Sequence, residues 1–109
     1  MEIHSIPELF EEYRARFLPD KAHDLEGAVQ LRLSGEEGGD WVLEVRDRVL
    51  SITSGLHATP IATIACRAKD WIAISTGRAN PMALVLTGRM KVKGSISTVT
   101  RFQHLFRMD

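Results

Sequence analysis

The chain has 109 residues, a mass of 12.2 kDa, 44% apolar and 26% charged residues, and no net charge at neutral pH. That length holds one compact domain, and the composition is that of a globular protein, which excludes a disordered or fibrous chain. No apolar run approaches the ~18 residues of a membrane span, and the first residues lack a secretory leader, so the expected compartment is the cytoplasm.

The elements are read from apolar periodicity and from punctuation by Gly, Pro and Asn. Ser5-Ile6-Pro7-Glu8 reads as a capping box that opens a helix, with Ile6, Leu9, Phe10, Tyr13 and Phe17 at helical spacing. Leu18 before Pro19 ends it, and Pro19 to His23 predicts one further turn. From Ala28 the period changes to two: Val29, Leu31 and Leu33 alternate with Gln30, Arg32 and Ser34, predicting a strand with one apolar and one wet face. The glycine-rich stretch from Gly35 to Asp40 joins it to a second strand carrying Trp41, Leu43 and Val45. Asp47 and Arg48 stand at a hairpin turn, where tight turns require positive φ and arginine is costlier than glycine. Leu50 and Ile52 mark a third strand, and Ala62 to Lys69 a fourth after the longer connection from Gly55 to Pro60. All four strands are expected to pair antiparallel.

Asp70 is placed as N-cap of a short helix with Trp71, Ile72 and Ile74, ending at Gly77. Asn80 caps the next, with Pro81 at its first position, Met82, Leu84, Val85 and Leu86 in its body, and Gly88 past its end. Arg89 to Lys93 alternates as a fifth strand, basic on its wet side, at a sheet edge. Ser95 is placed as cap of a last helix, on which Val99, Phe102, Leu105 and Phe106 share a stripe. The fold class is α+β, with a sheet covered on one face by helices.

Charge is uneven along the chain. Residues 1–44 hold eleven acids and four bases, and residues 45–109 three acids and ten bases. The long basic runs of nucleic-acid arms are missing. No catalytic constellation emerges either. Cys66 lies mid-strand on the apolar side, where a thiol is inert. The four histidines have no paired spacing for a metal, so neither metal nor cofactor is expected. The Gly35, Gly38, Gly39 cluster leads into a strand, leaving no helix N-terminus to hold phosphate. A nucleophilic enzyme centred on Cys66 is the weakest of the function classes.

The segment Gly77-Arg78-Ala79-Asn80-Pro81-Met82, followed by Thr87-Gly88-Arg89-Met90-Lys91-Val92-Lys93-Gly94, resembles the sterol carrier protein type 2 family. The resemblance extends to the stretch from Phe17 to Ala22, to Val29 through Gly35 with Asp40 and Trp41, and to Pro60 before Ala62-Thr63-Ile64. It implies a five-stranded, mostly antiparallel sheet under about five helices, with an apolar tunnel between the layers and no catalytic apparatus. It implies a carrier of fatty acid, fatty acyl-CoA, sterol or a similar apolar ligand. The chain departs from the family at Arg48, often glycine there, and its ending, Arg107-Met108-Asp109, is not a peroxisomal address.

The expected sheet wall of the tunnel is Leu31, Leu33, Leu43, Ile52, Ile64, Cys66, Met90 and Val92, with Trp41 closing one end. Opposite stand Trp71, Ile74, Met82, Val85, Leu86, Val99, Phe102 and Phe106. The terminal helix is the expected gate. Arg78, Arg89, Lys91 and Lys93 are candidates for a lipid head group or an anionic membrane surface. The alternative is a protein-interaction or dimerisation module with the same fold and a filled interior.

Overall fold

A computed structural model of the chain describes residues 3–22, 26–94 and 96–106. Five strands form one sheet: β1 (Gly27–Ser34), β2 (Gly39–Arg46), β3 (Val49–Ser54), β4 (Ala62–Arg67) and β5 (Lys91–Gly94), in the spatial order β3-β2-β1-β4-β5. The helices among the described residues are α1 (Ile6–Arg16), α2 (Ala68–Ser75), α3 (Pro81–Leu86) and α4 (Ile96–Gln103), with a 3-10 turn over Pro19–Lys21. None of them is long and apolar enough to cross a membrane. The expected cap Ser95, and His23 of the predicted turn, lie outside the described residues.

Local chemistry builds most of these elements as expected. Ser5 Oγ accepts from the Glu8 amide at 3.2 Å, while the Glu8 carboxylate reaches back to the amide of His4, one residue before the cap. Asp47 and Arg48 both take left-handed φ, 53° and 63°, the geometry of a two-residue hairpin turn whose twist matches the strands it joins. Asn80 Oδ1 caps α3 by accepting from the Met82 amide at 2.8 Å. Edge strand β5 carries Lys91 and Lys93 exposed on either side of Val92, but Arg89 and Met90, expected to begin it, instead close α3 with amides that donate to the Leu84 carbonyl.

Three expectations are corrected. First, β4 does not pair with β3: it lies beside β1, in parallel, with Ile64 opposite Leu31. Alternation identifies the face a strand buries but not the neighbour it finds, and the connection after β3 is long enough to cross two strands. Second, the strand ends at Arg67, and α2 begins at Ala68, so Asp70 is not a cap. It stands in the first turn, buried, where its carboxylate accepts from Arg67 Nε at 3.1 Å and Arg89 Nη2 at 2.9 Å. An acid there also meets the positive end of the helix dipole.

Third, the wet face of β1 is not wet at its centre. Gln30 is only 3% exposed, because the connection from Gly55 to Ile61 crosses over it. Its Nε2 donates to the carbonyls of Gly55 (2.9 Å) and Trp41 (3.1 Å), and its Oε1 accepts from the His57 amide at 2.7 Å. A few residues on, the Ile61 amide donates to the Ala28 carbonyl at 2.8 Å and brings the chain into β4. The apolar face of the sheet carries Val29, Leu31, Leu33, Leu43, Val45, Ile64 and Cys66 into one core with Ile6, Leu9, Phe10 and Tyr13 of α1.

Replacing Gln30 by leucine conserves most of the volume but removes the side-chain partner of the Gly55 and Trp41 carbonyls and of the His57 amide, where the crossing segment passes over the sheet. The expected loss is about 2–4 kcal/mol of stability. It should appear as a lower urea midpoint at unchanged slope, and a midpoint equal to that of the parent would remove Gln30 from this role.

Candidate functional site

Apolar periodicity brings Tyr13 to the buried side of α1, one turn after Phe10. Its hydroxyl is hydrogen-bonded to Ser75 Oγ at the last residue of α2. Its ring stacks on Phe106 with centroids 4.4 Å apart and planes 21° apart. Phe106 follows α4 and is tied in place by the backbone: it bridges to Phe17, and the Leu18 amide donates to the Leu105 carbonyl at 2.7 Å. Between these elements lies a cleft of about 150 Å³ lined by Tyr13, Ile74, Ser75, Gly77, Gln103 and Phe106. A hollow of about 200 Å³ elsewhere is lined largely by polar and charged groups, among them Glu36, Glu37, Arg67 and Lys69.

The cleft wall is apolar apart from neutral hydrogen-bonding groups. Tyr13 and Ser75 together have two hydroxyl hydrogens, and their mutual bond uses one, leaving a donor for an oxygen of a guest. Burial raises the Tyr13 pKa well above the ordinary phenol range; the hydrogen bond to Ser75 and then the Trp71 indole oppose this more weakly, so the group is a neutral phenol at any physiological pH. The indole N–H groups of Trp41 and Trp71 are buried without an acceptor in hydrogen-bond geometry.

Of the expected tunnel residues, Ile74 and Phe106 line this cleft. Leu31, Leu33, Leu43, Ile64, Cys66, Met90, Trp71, Val99 and Phe102 are buried in the core between sheet and helices, and Trp41, Ile52, Val85 and Val92 pack against it partly buried. Met82 and Leu86 are corrections: they are 46% and 79% exposed and point away from the interior. Leu84, between them, is the α3 residue that is buried, because a helix of six residues presents only one of its sides to the core. Arg78, Arg89, Lys91 and Lys93 are all exposed, with Arg89 also bound to Asp70. Tyr13 was legible as part of the α1 stripe, but Ser75 and Gln103 carry no sequence signal that marks them as cleft residues.

Cys66 lies in the β4 face of the core, where burial foremost and then the charge of Asp70 push its thiol up to about 12. A thiol so raised is almost wholly protonated at neutral pH and is a poor nucleophile.

Residues 9–107 match the SCP-2 sterol transfer family. Among curated proteins, the chain is 27% identical over 81 residues to the hydroxysteroid dehydrogenase-like protein 2 of Xenopus tropicalis, a match covering 73% of this chain and 19% of that protein. The chain thus spans about a fifth of the length of such relatives. Among solved structures, it superposes on palmitated SCP2L2 from Aedes aegypti with a TM-score of 0.67 at 20% identity, covering 93% of each chain. It also superposes on the stereoselective inverting sec-alkylsulfatase Pisa1 from Pseudomonas sp. with a TM-score of 0.81 at 18% identity, covering 91% of this chain and 16% of that one. At these identities the structural likeness establishes the fold.

The raised thiol has a consequence for stability at alkaline pH. A group whose folded pKa lies above its unfolded value favours the folded state fully below the unfolded pKa, and that preference is lost as pH rises through the folded one. For Cys66 the window runs from 9 to about 12. Chemical denaturation across this range should show a steeper loss of stability in the parent than in Cys66→Ala, and alkylation of the native thiol at neutral pH should be far slower than in denaturant.

Proposed function

The chain belongs to the SCP-2 sterol transfer family, and from that premise we propose that it is a lipid carrier that holds one apolar ligand between α1, the end of α2 and the C-terminal segment. The observation that carries this reading is the apolar cleft at Tyr13, Ile74 and Phe106. At about 150 Å³ it matches a cavity that takes a benzene-sized guest. A fatty acid, fatty acyl-CoA or sterol is several times larger, so loading requires Phe106 and α4 to move outward. The movement has to break the stack on Tyr13, the ring contact and bridge to Phe17 and the bond between Leu18 and Leu105, and to withdraw part of the apolar stripe of Val99, Phe102 and Leu105 from the core.

An opened cleft would continue inward over Val99 and Phe102 towards the sheet wall at Leu33 and Cys66, as the tunnel reading requires. Each methylene withdrawn from water contributes about 0.8 kcal/mol, so a long acyl chain supplies enough to displace two aromatic side chains and still bind tightly. The closed wall is neutral, and a ligand's charged end therefore stays outside, in water. We place the carrier in the cytoplasm, passing ligand to membranes or to enzymes rather than transforming it, a reading supported by a described cleft wall of apolar and neutral hydrogen-bonding groups. The dense packing at Leu31, Leu43 and Ile64 favours one rival, an interaction module with a permanently filled interior.

Titrating delipidated protein with an environment-sensitive fluorescent fatty acid separates the two. A carrier saturates near one ligand per chain, and displacement by fatty acid, acyl-CoA and sterol ranks the ligand classes; no binding by intact folded protein would favour the interaction module. Phe106→Ala is expected to weaken affinity about tenfold, from lost aromatic contact, and to speed release.

A further inference from the structure

Helix α3 keeps apolar residues in water. Leu84 fixes it to the core, whereas Met82 and Leu86, four residues apart and therefore neighbours on one side of the helix, are exposed, with Ala83 exposed next to them. Exposed apolar side chains are ordinary when scattered, but two adjoining ones on a six-residue helix form a patch that water solvates poorly.

The stretch of chain that carries this patch is basic, with its bordering acids at Asp70 and Asp109. Residues 71–108 contain six lysines and arginines and no acid. Two of these cations bracket α3 at equivalent places. Gly77 and Gly88 end α2 and α3 with left-handed φ of 78° and 77°. The next amide folds back in each case, Arg78 onto the Ala73 carbonyl at 2.7 Å and Arg89 onto the Leu84 carbonyl at 2.9 Å. Arg78 is exposed, and Arg89 keeps half of its side chain in water while one nitrogen meets Asp70. Asp70, the acid nearest in sequence, is buried and bound to two arginines, so it contributes little negative field at the surface. Lys91 and Lys93 alternate with the inward Val92 and so lie on the other side of the sheet, where they extend the positive field rather than touch the same surface.

We propose that α3 is a docking surface for an anionic lipid bilayer, with Met82 and Leu86 entering the acyl boundary and Arg78 and Arg89 meeting the head groups. A bilayer supplies apolar depth beneath diffuse negative charge without demanding shape, which fits a short helix with Met82 and Leu86 exposed on one side. The surface does not depend on whether the cleft carries lipid.

The test is co-sedimentation of the full chain with phosphatidylcholine vesicles and with phosphatidylcholine–phosphatidylserine vesicles, at low and high salt. The parent should bind the anionic vesicles preferentially and lose them in salt. The double variant Met82→Ser/Leu86→Ser should bind at least about tenfold more weakly, and Arg78→Gln about fivefold. Melting temperature and the fluorescent fatty-acid titration in free solution should be unchanged in both variants, which separates failure of docking from failure of carriage. Equal binding to neutral vesicles, or anionic binding undiminished in the double variant, overturns the proposal. So does a parent dimer in solution that the double variant converts to monomer, since the patch would then be covered by a second copy.

Discussion

The carboxamide of Gln30 is the contact on which the arrangement of the sheet depends. A parallel partner for β1 can be reached from β3 only by a chain segment that crosses the sheet, and the inner side of that segment faces the sheet, where its backbone groups need partners even though most of its residues are exposed. Gln30 supplies them from the centre of β1, accepting from His57 and donating to Gly55 and Trp41. With the crossing satisfied, β4 lies beside β1, and the sheet gains its central pair, Leu31 opposite Ile64. A glutamine with both ends used in this way is a structural linker, although its position in the alternation makes it look like a solvated residue.

On the opposite face the helices are positioned by two polar pairings set into an apolar layer. Asp70 draws Arg67 and Arg89 together, which joins the end of β4, the start of α2 and the turn that follows α3. Tyr13 and Ser75 join α1 to the end of α2. Both pairings lie near the ends of α2, whose middle presents Trp71 and Ile74 to the core. The cleft forms beyond Ser75 because the helix stops there: Gly77 has no side chain, and the space it leaves is closed by Phe106 and Gln103 from the far end of the chain. A site closed by a helix and by Phe106, neither of them part of the sheet, can open without breaking strand pairing, which is the mechanical requirement for taking up a bulky ligand.

The two faces of α3 show how a short helix divides its apolar residues between core and solvent. Met82, Val85 and Leu86 are apolar and fall within one helix, so periodicity assigns them together to the interior. In a helix of two turns held by Leu84 alone among its buried residues, only part of that set can face inward. Membership in the family and the order of elements were legible because they rest on short local signals: Asn80-Pro81, the glycines that end helices, and the alternation of β1 and β5. The cleft was only partly legible, because Ser75 and Gln103 belong to it by position in space and have ordinary sequence surroundings.

The sequence by itself determined the α+β class, the element boundaries to within a few residues, the hairpin at Asp47 and Arg48, the inert setting of Cys66 and the cation-rich stretch of residues 71–108, which holds no acid. These follow from φ/ψ preferences, capping and apolar period, which act over a few residues. Only the tertiary structure decided the parallel pairing of β4 with β1, the burial of Gln30 and Asp70, the outward face of α3 and the meeting of Tyr13, Ser75 and Phe106. Those depend on which surfaces remain to be covered once the sheet has closed, a condition set by long-range packing that no local pattern encodes.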